Sequence, residues 1–104
     1  MEGAELRKAM IRREYNMQNI YGIAAFRSRQ QVLRFEDALR REGVQAGVMT
    51  TPRAVALGCG LSVRFDLSDA GRVQSVLRRE NPGNLIGLYR VEPGNGRAQV
   101  TPIR

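Results

Sequence analysis

Polar and apolar positions alternate along this chain in short blocks whose period changes several times. Residues 1–18 place Leu6, Met10 and Met17 at near-helical spacing, with Ile11 and Tyr15 beside them, in a strongly charged background. This segment reads as an N-terminal helical arm, either docked by one apolar stripe or presented to a partner. Residues 19–26, "NIYGIAAF", carry no charge and suit a buried strand. "SRQQ" then offers a capping box, with Ser28 as the cap and Gln31 reaching back. Val32, Phe35, Ala38 and Leu39 form one helical face, and Gly43 supplies the stop.

The period then drops to two. Val44, Ala46 and Val48 alternate in "VQAGVMTT", and Leu61, Val63 and Phe65 alternate in "LSVRF", so both predict strands. Asp66 or Ser68 opens a second helix with Val73, Val76 and Leu77 as its apolar face, and "NPG" at 81–83 ends it. "NLIGLYRVE" predicts a last strand, and "PGNGRAQVTPIR" reads as a tail. The order strand, helix, strand, strand, helix, strand predicts an α+β fold of the ferredoxin-like split βαβ type. In that fold two helices cover one face of a four-stranded antiparallel sheet. The expected organisation is an arm at 1–18, one domain at 19–92 and a tail at 93–104. The arm, the tail or a second copy of the chain is expected to cover the other face of the sheet.

Totals narrow the chemistry. A chain of 104 residues with 42% hydrophobic residues suits one domain with a single modest core. No apolar run is long enough to span a bilayer, and the charged N-terminus does not resemble a secretory signal, so the expected location is cytoplasmic. Histidine is missing and there is one cysteine, which removes an internal disulfide, the usual zinc sites, Cys-His pairs and Ser-His-acid triads. Neither a metal nor a cofactor is implied. The net charge of +7 comes almost wholly from arginine, Lys8 being the one lysine. Acids follow bases in "RFEDALRREG", so the charge permits an anionic partner without requiring one.

The candidate chemistry lies in "TTPRAVALGCG", residues 50–60. Thr51 and Pro52 suit a helix start, which predicts a short helix through "PRAVAL" ended by Gly58 in the left-handed conformation. Cys59 would then follow a helix C-terminus, whose partial negative charge disfavours a thiolate. Its activation would have to come from elsewhere, and Arg53 and Arg64 are the nearest cations in sequence. Gly58 and Gly60 would let another molecule approach the backbone. The alternatives are a cysteine that serves as a small apolar filler and an Arg53 that is an ordinary solvated side chain.

The run from "YGIAAFRSRQQVLRFEDALRREGV" through "TPRAVALGCGLSVRF" to "NLIGLYRVE" resembles a small bacterial family of selenium/sulfur carrier-like proteins. There a first strand ending in phenylalanine leads to a helix, a Pro-Arg corner and a Cys-Gly pair, here Phe26, Pro52, Arg53, Cys59 and Gly60. The resemblance implies that Cys59 carries sulfur or selenium as a persulfide or selenosulfide. Gly58 and Gly60 would admit the donor's sulfur, and Arg53 would stabilise the anion. It also implies a donor enzyme such as a cysteine desulfurase, an acceptor protein, and a relay in place of a turnover enzyme. The Cys-Pro-x-Pro arrangement of better-known small sulfur-relay proteins does not occur here.

Two rival functions remain at this level. One is a non-catalytic oligomeric or regulatory ferredoxin-like module with a structural cysteine, since fold alone does not specify function. The other is a basic RNA-binding module on the same strand order. "LSVRF" lacks the glycine and aromatic pattern by which such sheets stack bases, which argues against nucleic acid.

Overall fold

The structure, a computed structural model, describes residues 20–55, 60–94 and 98–103. The expected arm at 1–18 lies outside them. The described elements are β1 (Tyr21–Phe26), α1 (Arg29–Arg41), β2 (Ala46–Thr50), β3 (Leu61–Phe65), a 3₁₀ turn (Leu67–Asp69), α2 (Ala70–Glu80), β4 (Leu85–Glu92) and β5 (Gln99–Pro102). All neighbouring strands pair antiparallel, in the order β2-β3-β1-β4-β5. The described residues are therefore α+β, with a five-stranded antiparallel sheet and two helices. Four strands were expected. The fifth comes from the segment read as a tail, where Val100 pairs with Val91 and Thr101 with Arg90.

Local chemistry sets the helix ends. The Ser28 side chain accepts from the backbone N–H of Gln31 at 3.4 Å, capping α1. At the other end the Gly43 N–H donates to the Arg40 carbonyl and the Val44 N–H to the Leu39 carbonyl, with Gly43 at φ +83°. This is a Schellman stop, and the left-handed residue it needs is the glycine. Asp66 caps the 3₁₀ turn through the Ser68 N–H, and α2 ends on Asn81, also left-handed at φ 46°. The Arg72 guanidinium donates to the Glu42 carbonyl and Arg79 pairs with Glu42 at 3.1 Å, tying α2 to the end of α1.

The helices bury their apolar stripes on one face of the sheet. Val32, Phe35, Ala38 and Leu39 of α1 and Val73 and Val76 of α2 pack with Ala24, Phe26, Val63, Phe65 and Leu88. Phe26 and Phe35 meet with ring centroids 5.5 Å apart and tilted by 54°, a favoured aromatic geometry. Gly22 sits opposite Phe65, and a Cβ there would lie 2.3 Å from the Phe65 ring, so the close approach needs glycine. Val48, expected on a buried face, is 40% exposed because β2 is an edge strand. No helix among the described residues is long and apolar enough to cross a membrane.

Candidate functional site at one end of the sheet

The β2–β3 loop is clasped at its base. Thr51 donates its N–H to the Gly60 carbonyl at 2.9 Å, continuing the ladder one step past Thr50 and Leu61. The Thr51 hydroxyl lies 2.7 Å from that of Ser62, whose side chain is fully buried. Thr51 therefore holds the loop to β3 and does not cap a helix. The Val55 N–H donates to the Pro52 carbonyl at 2.9 Å, so residues 52–55 form a turn and not the expected helical start. Val55 is buried and anchors the turn, while Arg53 and Ala54 are exposed and Pro52 is half-buried.

Gly58 and Cys59 lie outside the described residues, as does the stop expected at Gly58. Gly60, the next residue, is exposed and left-handed at φ +93°, with open space where a Cβ would stand. The requirement for glycine at this position is therefore set by the backbone and not by a close neighbour.

Strand order brings three further segments to this end of the sheet. β1 finishes beside the start of β3, with Ala25 opposite Ser62, and the Arg27 N–H donates to the Asn84 carbonyl at 2.7 Å ahead of β4. The N-terminus of α1 begins here as well, and its first turn carries no acidic residue. Arg27 and Arg29 are exposed at this end with Arg53, and none of the three forms an ion pair with a described residue. Three exposed arginines and the N-terminus of α1 thus lie at this end of the sheet, as does the C-terminus of α2, which closes on Glu80 and Asn81 just ahead of Asn84. Arg27 and Arg29 were not singled out from sequence. Their position becomes visible only once β1 is placed next to β3.

Arg64 is engaged elsewhere. Its guanidinium lies 4.0 Å from the centroid of the Tyr21 ring, a cation–π contact. It borders a cleft of about 470 Å³ with Arg40, Gly47 and Asp66, where β1 begins and β3 ends. Arg64 is four residues along β3 from Gly60, roughly 13 Å at strand rise. The cleft and the cysteine loop are therefore at opposite ends of the sheet. No group of three or more His, Cys, Asp or Glu side chains that could hold a metal occurs among the described residues.

These features define a class: a small α+β domain whose antiparallel sheet carries the chain's cysteine on the loop joining two neighbouring strands. Residues 21–89 match the family described as "Putative Se/S carrier protein-like", and the chain belongs to that family. The match runs from the first residue of β1 into β4 and includes the whole β2–β3 loop. Comparison with curated proteins and with solved structures gives no match.

Proposed function

We propose that the protein is a cytoplasmic chalcogen carrier in which Cys59 is the covalent site. What supports this reading is the chain's membership of a selenium/sulfur carrier-like family, together with a β2–β3 loop that contains the chain's one cysteine in sequence and is stapled at its base beside the exposed Gly60. In the same reading, β1 to β4 with the two helices form a ferredoxin-like split βαβ core, to which β5 adds an edge strand.

Loading would proceed as sulfur exchange. The Cys59 thiolate attacks the terminal sulfur of a donor persulfide, R–S–SH. A bond forms between Cys59 Sγ and that sulfur, the donor S–S bond breaks, and the donor leaves as its thiolate. The exchange is balanced without an external oxidant or reductant, and the same displacement with selenium gives a selenosulfide. An acceptor nucleophile discharges the carrier by attacking the same terminal atom. Thiolate fraction and access both govern such a step. Arg53, helped by Arg27 and Arg29, would favour the anion, and Gly58 and Gly60 would keep the approach open. The partners of this cycle are a donor such as a cysteine desulfurase and an acceptor protein.

Intact mass after incubation with a cysteine desulfurase and cysteine tests the reading. The chain is expected to gain the mass of one sulfur atom, and Cys59→Ser to lose that gain while unfolding cooperatively. A thiol that resists alkylation until the protein is denatured, with no mass gain, would overturn it.

A further inference from the structure

Arg64 borders the cleft at the far end of the sheet with its hydrogen-bonding capacity unspent. Val63 and Phe65 belong to the core under the helices, so Arg64 between them points to the opposite face. There it is half-buried, with its guanidinium 4.0 Å from the centroid of the Tyr21 ring. A cation–π contact gives no acceptor oxygen to the N–H donors, so the guanidinium keeps its fork for an anion. Among the described residues, that fork meets neither a carboxylate nor any other acceptor. The residue opposite Arg64 on β2 is Gly47, where a Cβ would meet nothing within 4 Å. The space left beside Arg64 is part of the cleft of about 470 Å³, within the ~300–1,000 Å³ usual for small-molecule sites. Ile20, Ala46 and Phe65 give it an apolar wall.

We propose that this cleft binds a small organic monocarboxylate, its carboxylate on Arg64 and its apolar body against that wall. Charge selects the class. Arg40 also lines the cleft, but its Nε is paired with Glu36 at 3.2 Å. Arg64 is therefore the cation without a carboxylate partner, and one negative charge neutralises it. A second charge, as on a phosphate monoester, would face Asp66, which lines the same cleft. The apolar wall in turn favours a ligand with a hydrocarbon body over a bare inorganic anion. This inference is independent of the carrier reading, whose loop lies at the other end of β3.

Amide chemical shifts of the full-length chain, titrated with hexanoate, test it. Saturable shifts are expected at Gly47, Arg64 and Asp66, with Arg53 unmoved. Hexanamide, which keeps the body and loses the charge, should bind at least about tenfold more weakly, as should hexanoate on Arg64→Gln. Gly47 has no left-handed backbone to strain, so Gly47→Val should fill the cleft, abolish the shifts and keep the parent unfolding midpoint. Absence of saturable shifts would overturn the inference, and so would undiminished binding to a folded Gly47→Val chain. Equal binding of hexanamide would reduce the cleft to an apolar contact, and tighter binding of hexyl phosphate would make it a phosphate site; either result also overturns the proposal.

Discussion

The Thr51 hydroxyl lies 2.7 Å from that of Ser62, eleven residues further along the chain. Together with the Thr51 N–H on the Gly60 carbonyl, it makes the base of the cysteine loop a two-point staple. Ser62 is fully buried and its hydroxyl meets that of Thr51, so the pair satisfies a polar group that would otherwise be costly inside. Ser62→Ala should cost ~1 kcal/mol by leaving one partner unmatched, whereas the double change Thr51→Val, Ser62→Ala should cost less than the two single changes combined. Urea unfolding of the four variants gives the coupling energy, expected near 1 kcal/mol. Additive effects would show that the contact contributes nothing to holding the loop.

Two glycines should fail in different ways. Gly60→Ala forces a β-carbon into a left-handed residue with nothing near it, so the cost is backbone strain alone, ~1–2 kcal/mol. Gly22→Ala drives its β-carbon to 2.3 Å from the Phe65 ring, and overpacking of this kind costs ~1–3 kcal/mol or more. Thermal unfolding should show both as destabilised. Only Gly22→Ala should perturb the near-ultraviolet dichroism of the aromatic side chains. Only Gly60→Ala should alter the alkylation rate of Cys59.

How much of this was legible in the sequence depends on the range of the interaction. Ser28 and Gly43 act within a few residues of themselves, so the cap of α1 and its stop follow from local chemistry. Asp66, expected with Ser68 as the opening of the second helix, instead caps a 3₁₀ turn, and α2 starts only after Asp69. The Thr-Pro corner misled because a hydroxyl next to proline fits a helix cap, while Ser62, the partner Thr51 takes, is identifiable only after β2 and β3 pair. β5 was missed for a related reason. "QVTP" is short, exposed along much of its length and proline-ended, and it is a strand because β4 offers an open edge. At the candidate site, Cys59 and its glycines stand out from composition alone, but Arg27 and Arg29 join them only through strand order.

Strand order also separates the two arginines first considered as partners of Cys59, and this gives the sharpest test of the site. Arg53 is exposed in the turn of the cysteine loop. Arg64 lies over the Tyr21 ring, toward the far end of β3. A guanidinium near a thiolate stabilises it by Coulomb attraction that decays over the screening length, about 10 Å at 0.1 M salt. Arg53→Ala should therefore slow alkylation of Cys59 near neutral pH several-fold, and the difference should shrink in 1 M salt. Arg53→Lys should retain most of the rate, since it keeps the charge. Arg64→Ala should leave alkylation unchanged and instead lower stability by ~0.5–1 kcal/mol, the usual contribution of a cation–π contact. Stopped-flow alkylation beside urea unfolding would measure both quantities on the same variants. If Arg64→Ala slows the thiol and Arg53→Ala does not, the assignment is reversed, and the cation serving Cys59 is the one beside Tyr21.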